Sequence, residues 1–158
     1  MIAVADTSPI CYLILIGEIG LLPKLVEEVL LPSAVVTELL HEDAPQTVRD
    51  WAADLPRWIT VRDVRDGSAA GMEKLQAGER AAILAAESIE ADVVVILDEK
   101  SARRVATERG IQITGTLGVL GQAADRELVD LASAIDRLTK TTFRYSAALL
   151  KAMIDRHR

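Results

Sequence analysis

A chain of 158 residues, half of them hydrophobic and 27% charged, has the length of about one domain and the apolar content to build a core, which excludes a disordered chain. Its single cysteine, Cys11, excludes a disulfide framework and a cysteine-built zinc centre; its longest apolar run, Ile10–Ile16, is too short for a bilayer, and Asp6 with no early basic residue argues against a signal peptide, so a cytoplasmic protein without membrane contact is expected. The net charge of −6 divides into 18 acids and 8 bases over residues 1–100 against 6 acids and 10 bases over residues 101–158. That split suits a cation site in one half and a phosphate-contacting face in the other, although scattered solvated charge gives the same totals.

Met1–Ala5 reads as a short buried strand. Asp6-Thr7-Ser8-Pro9 follows, and Ser8 as N-cap with Pro9 in the first helical position opens a helix to about Gly17. Leu21–Val26 gives a short helical turn and Glu28–Leu31 a second strand. Pro32-Ser33 starts a helix through about His41, and Ala44–Ala53 holds another. Trp58–Val64 alternates and is rich in β-branched residues, which predicts an edge strand. Residues 65–77, with Gly67 and Gly71, are polar and hold at most a short helix. Gly78–Glu90 is an alanine-rich helix. Asp92–Leu97 is continuously apolar, a strand buried on both faces. Glu99–Arg109 is a helix stopped by Gly110, Ile111–Thr114 is a strand, and Thr116–Arg126, Asp130–Thr139 and Ser146–His157 are helical. The alternation predicts a three-layer α/β/α fold with a mostly parallel sheet.

In such sheets ligands bind beyond the carboxyl ends of the strands. Asp6 follows the first strand, Asp98 follows Asp92–Leu97, and Thr116 follows Ile111–Thr114. Glu38 and Glu79, on the helices beginning near Ser33 and Gly78, add acids near the same rim. Clustered carboxylates raise one another's pKa, and a divalent cation relieves the repulsion. An oxygen-only donor set selects Mg²⁺ or Mn²⁺, which polarises a phosphoryl oxygen and activates water, the two services that phosphodiester hydrolysis needs. Each residue also has a purely structural reading. Asp6 suits a turn, Asp98 and Thr116 suit helix N-caps, Glu38 suits a solvated face, and Glu79 suits the helix dipole.

Other chemistries lack their motifs. There is no glycine-rich dinucleotide loop, P-loop or nucleophile elbow. His41 and His157 stand beside no serine or cysteine, and Cys11 lies among apolar residues and reads as core. Asp6-Thr7-Ser8 lacks the second aspartate of a phosphotransferase pattern, which weighs against a small phosphatase.

The blocks IAVADTSP, VVTELL, AGERAAILAA and VVVILDEKSARRVA, in this order, resemble the PIN-domain family. The likeness covers about residues 1–125 and is closest to a prokaryotic subgroup related to the VapC-like ribonuclease toxins. It implies about five parallel strands flanked by helices; residues 126–158, beyond the likeness, read as a C-terminal helical segment packed on the same domain. It further implies an acidic pocket for Mg²⁺ or Mn²⁺, cleavage of RNA, a homodimer, and for the toxins a cognate antitoxin protein. Carried over by motif, Asp6, Glu79 and Asp98 hold one metal, directly or through water. Glu38 orients or deprotonates the attacking water or helps bind a second ion, and cleavage leaves a 5′-phosphate and a 3′-hydroxyl. Thr7 or Ser8 supplies a hydroxyl beside the first acid, and Thr116 a neutral oxygen. Glu79 stands where the toxins more often carry aspartate; this and Thr116 weigh against a tightly bound second metal. Arg80, Lys100, Arg103 and Arg104 are candidate phosphate contacts, although Arg80 and Arg103 fit equally as partners of helix neighbours.

The tail is basic, with Arg137, Lys140, Arg144, Lys151, Arg156 and Arg158 against Asp155. Phe143 and Tyr145 flank Arg144 in a pattern able to stack on bases. The stripe of Ala147, Leu149, Leu150, Met153 and Ile154 favours a docking helix, with RNA contact on its exposed face. The competing function is a catalytically weak PIN-like module used in protein–protein interaction, which the high mean hydropathy of +0.22 supports.

Overall fold

A computed structural model describes residues 1–65 and 70–157; Gly67 and Arg158 lie outside these. Five strands, β1 (Ile2–Ala5), β2 (Glu28–Pro32), β3 (Ile59–Arg62), β4 (Val93–Ile96) and β5 (Ile113–Thr114), form one sheet in the order β3-β2-β1-β4-β5. Every pairing is parallel, so the carboxyl ends of all five strands share one rim. β3 is an edge strand, as its alternation predicts. The helices among the described residues are α1 (Thr7–Leu15), α2 (Leu22–Leu25), α3 (Ser33–Leu39), α4 (Gln46–Ala53), α5 (Ala77–Glu87), α6 (Lys100–Glu108), α7 (Thr116–Asp125), α8 (Leu131–Thr139) and α9 (Ala147–Arg156). No single one of them is long and apolar enough to cross a membrane.

The period of two along a strand builds the three layers. Ala3 and Ala5 of β1, Val29 and Leu31 of β2, and Val94 and Ile96 of β4 face one core, with Ile10 and Leu13 of α1 and Leu120 of α7. Val4, Leu30, Val95 and Leu97 face the opposite core, with Ile83 of α5 and Ala102 and Ala106 of α6. Strands buried on both faces need continuous apolar runs, which is why VVVI forms β4 in the middle of the sheet.

The tail packs on the first of these cores through Leu131, Ile135, Leu138 and Leu150. The Arg137 guanidinium donates to the Ile16 carbonyl and pairs with Glu18 at 3.3 Å. His157 is held between the Met153 carbonyl at 2.8 Å and Asp125 at 2.7 Å. The stripe on α9 is narrower than its sequence spacing suggests: Leu150 is buried and Met153 and Ile154 half-buried, but Leu149 is 50% exposed and Ala147 is also exposed. Cys11, expected in the core, is only half-buried, because it sits at the margin of the core on the side nearer Asp6 and Glu38; burial, then the charges of those two acids, push its thiol up to about 11.

The first helix starts earlier than expected. Thr7, not Pro9, is its first residue, and Asp6 rather than Ser8 stands at the N-cap. Pro9 is still tolerated because the N–H groups of a first turn have no intrahelical acceptor, so a missing one costs nothing there. Gly110 does stop α6, at φ +76°. Gly118 marks a close approach of α7 to β5, since a Cβ there would overlap Thr114 Oγ1. Gly118→Ala is therefore expected to destabilise the protein by roughly 1–3 kcal/mol, and Thr114→Ala in the same chain to restore most of the loss. Urea midpoints of the single and double variants check this; an unchanged midpoint for Gly118→Ala would mean that α7 shifts freely against β5.

Candidate active site

The parallel sheet brings Asp6 and Asp98 to one rim. The ladder continues one residue past β1, with the Asp6 N–H donating to the Ile96 carbonyl at 3.1 Å, so the sheet itself fixes the Asp6 backbone. Its side chain is 4% exposed. Burial first, and then the charges of Glu79, Glu38 and Asp98, push the Asp6 carboxyl from an ordinary 3.8 up to about 7, against the downward pull of the Thr7 backbone N–H. The other three predicted acids thus act on one buried group.

Glu38 comes from the last turn of α3 and reaches across to two other helices. Its Oε2 accepts the Thr7 hydroxyl at 2.6 Å, and its Oε1 accepts the Gly78 N–H at 2.9 Å. The second bond satisfies a first-turn donor of α5, so Glu38 caps that helix from outside. Gly78 is required here. A Cβ would lie 2.7 Å from Glu38 Oε1 and 3.0 Å from Asp6 Oδ1, so the two carboxylates close on the same bare backbone.

Asp98 is arranged in the same way. Its Oδ1 accepts the Thr116 N–H at 2.8 Å and its Oδ2 the Thr116 hydroxyl at 2.6 Å. It caps the start of α7, while the N-cap of its own following helix is Glu99, which accepts from the Ala102 N–H at 2.9 Å. Burial works against the Glu99 carboxylate, but hydrogen bonds from Ala102 and Ser101 hold its pKa below the ordinary value. Thr116, expected at the substrate, is fully buried beneath Asp98 and is a donor to it rather than an open oxygen; nor is it an N-cap, which is Gly115.

Glu79 is buried too, and its Oε1 turns back to the Gln76 N–H at 2.9 Å while Gln76 receives the Glu79 N–H, a reciprocal capping box. Burial and the charges of Glu99 and Glu38 raise its pKa against the Gln76 bond. Thr7 is half-buried and engaged with Glu38; Ser8 is exposed and lines a cleft next to Asp98. Arg103 donates to the Leu97 carbonyl at 2.7 Å and lines the same cleft, instead of pairing with a helix neighbour. Lys100 and Arg104 are exposed and Arg80 is half-buried, and none of the three forms an ion pair among the described residues. Sequence reasoning placed Gly115 beside Thr116 at the rim but gave neither it nor Gly78 a part in the site. Gly115 lies as close to Asp98 Oδ1, 2.8 Å from its would-be Cβ, as Gly78 does to Glu38. Their signal was a glycine within one residue of a motif acid or threonine.

Among the described residues, no three acidic, histidine or cysteine side chains converge as ligands of a single ion. The donor chemistry still fits a hard divalent cation. Every group is an oxygen, and Mg²⁺ is commonly held by one or two carboxylates with water completing its shell.

A family model described as a PIN domain, DUF3368, matches residues 2–158. The chain belongs to the PIN-domain family, whose members are generally nucleases that use divalent metal ions. No curated protein and no solved structure matches it.

The raised Asp6 pKa fixes a sign. Between pH 4 and 7 the folded, metal-free protein holds a proton that the unfolded chain releases, so its stability falls as pH rises through that window. Asp6→Asn removes the effect and is expected to make the metal-free protein more stable at pH 8, by about 2–4 kcal/mol, with little gain at pH 4. Denaturation in chelator at the two pH values measures it. A variant less stable than wild type at pH 8 would show that the Asp6 carboxylate is stabilised as an anion.

Proposed function

We propose that this protein is a Mg²⁺- or Mn²⁺-dependent endoribonuclease. The observation that carries the reading is the convergence of Asp6 and Glu38 on the bare backbone of Gly78, at the carboxyl rim of a PIN-domain sheet that also carries Asp98. Asp6 and Asp98 would hold the cation, with the remaining oxygen of Glu79 contributing through water. When bound, the ion supplies positive charge that neutralises the cluster and polarises a phosphodiester oxygen.

The chain's own groups do the orienting. Thr7 and the Gly78 N–H fix both oxygens of Glu38, which leaves lone pairs free to accept a proton from an attacking water. Attack at phosphorus breaks the bond to the 3′-oxygen, which takes up a proton from solvent, leaving a 3′-hydroxyl and a 5′-phosphate, and Glu38 returns its proton to solvent. Thr116 fixes Asp98 through two bonds, so that carboxylate does not need to reorganise as the substrate arrives. A cytoplasmic location belongs to the same reading. A toxin role, with a cognate antitoxin and a homodimer, rests on the sequence resemblance.

A second reading, a PIN-like module that binds protein without catalysis, draws on one observation. Glu38, Glu79 and Asp98 each spend an oxygen capping a helix, and among the described residues no three acids converge as ligands.

Cleavage of a labelled single-stranded RNA by the purified chain, with Mg²⁺, Mn²⁺ or chelator, decides between them. Asp98→Asn is expected to lower the rate by roughly 10²–10⁴-fold and Glu38→Gln by a similar factor. Thr116→Val should lose roughly ten-fold, with Thr116→Ser close to wild type. Calorimetric titration should show saturable Mg²⁺ binding by wild type that Asp98→Asn loses. A wild-type chain that neither binds millimolar metal nor cuts RNA would overturn the nuclease reading and leave the interaction module.

A further inference from the structure

Beside Asp98 a cleft of about 590 Å³ opens between the start of α7, the side of α1 and the segment before α9. Its volume is that of a small-ligand site. We propose that this cleft seats an unstacked nucleobase of the single-stranded RNA next to the bond being cut; the proposal rests on the ribonuclease reading above.

Four observations converge on it. The chain is poor in aromatic residues, with two Trp, two Tyr and one Phe. Trp51 and Trp58 pair with each other elsewhere on the fold, while Tyr12 and Phe143 meet edge to face in this cleft, ring centroids 5.2 Å apart. Both rings are half-buried, so each keeps surface open to a ligand. Next, Leu149 is half exposed although neighbouring Leu150 is packed, and it is the cleft that Leu149 lines. Third, Arg103 and Arg144 stand in the wall, and Arg144 is exposed with no ion pair among the described residues. Fourth, the cleft is continuous with the acidic site, since Asp98 belongs to both.

The charges decide which part of a nucleotide enters. Asp98 and the exposed Glu99 line the cleft and would repel a phosphate. An uncharged base can lie against the apolar rings with its polar edge toward the acids, while the backbone phosphates run past Arg144 and Arg103. Base–aromatic stacking tolerates any sequence, and arginine adds cation–π attraction. The segment that carries Phe143 and Arg144 is tied to α1, with Thr142 Oγ1 and the Tyr12 hydroxyl 3.1 Å apart. α1 begins at Thr7, the partner of Glu38, so one short helix joins the base seat to the acidic site.

The full chain is tested by steady-state cleavage of a mixed-sequence single-stranded RNA and by anisotropy binding of the same RNA in chelator. Phe143→Leu and Arg144→Ala are each expected to weaken binding and raise KM roughly ten-fold, with the loss in KM rather than kcat. A substrate with an abasic nucleotide beside the cut should cost wild type a similar factor and cost Phe143→Leu almost nothing more. Arg144 is exposed, so its variant keeps the test valid if Phe143→Leu loosens the tail. If both variants keep wild-type KM and affinity, or the abasic penalty is undiminished in Phe143→Leu, the base seat is overturned while the ribonuclease reading stands. A change of oligomeric state by light scattering in these variants, with KM unaltered, would make the cleft a protein-binding face and overturn it equally. A wild type that neither cuts nor binds RNA overturns the ribonuclease reading itself.

Discussion

Helix N-termini need acceptors, and this fold supplies them with the acids of its site. α5 and α7 begin at the carboxyl rim of the sheet, where their first-turn N–H groups have no intrahelical partners. Glu38 reaches from α3 to the Gly78 N–H, and Asp98 reaches from the end of β4 to the Thr116 N–H. Glu79 closes a capping box on its own helix. Three carboxylates are thereby gathered within electrostatic reach of a fourth. Asp6 is the exception, because its side chain makes no capping hydrogen bond at the start of α1 and feels only the pull of the adjacent Thr7 N–H. It is buried, surrounded by like charge and raised toward neutrality, a position that favours compact structure least and cation binding most.

These bonds fix the geometry of the rim. A carboxylate committed to a helix start cannot swing to meet a ligand, and its direction is set before anything binds. Glu38 is fixed by a hydroxyl from one helix and a backbone amide from another, so the angle between α1 and α5 sets its aim. Gly78 and Gly115 complete the device by removing the one atom that would keep helix backbone and carboxylate apart.

Much of this is legible in the sequence, for identifiable reasons. The sheet follows from runs such as Val93–Ile96, which have no polar face and must be covered on both sides. Parallel order then sends Asp6 and Asp98 to one rim without reference to any contact. Helix starts are harder to read, because a cap is a contact and not a composition. Ser8 and Pro9 look like an N-terminus, yet the helix begins at Thr7, where Glu38 from a distant part of the chain receives the Thr7 hydroxyl. Thr116 reads as a cap by type, whereas its role comes from Asp98, eighteen residues earlier. The exposed side of α9 is another such case: Leu149 and Leu150 are identical in the sequence, and the path of the tail, which lays Thr142 and Phe143 against Tyr12 and α9 against α8, leaves one exposed and the other buried.

That path bears on how the tail relates to the rest. The family match extends to residue 158, and the tail's apolar residues share a core with β1 and α1. Arg137 closes the carbonyl end of α1, Thr142 and Phe143 touch its middle through Tyr12, and its first residue holds Glu38. A nine-residue helix thus has the tail at its far end and along its side, and the acidic site at its start. Any shift of the tail that tilts α1 moves the Thr7 hydroxyl against Glu38, where a hydrogen bond of 2.6 Å leaves little slack. The C-terminal helices therefore belong to the mechanics of the site as well as to the stability of the core.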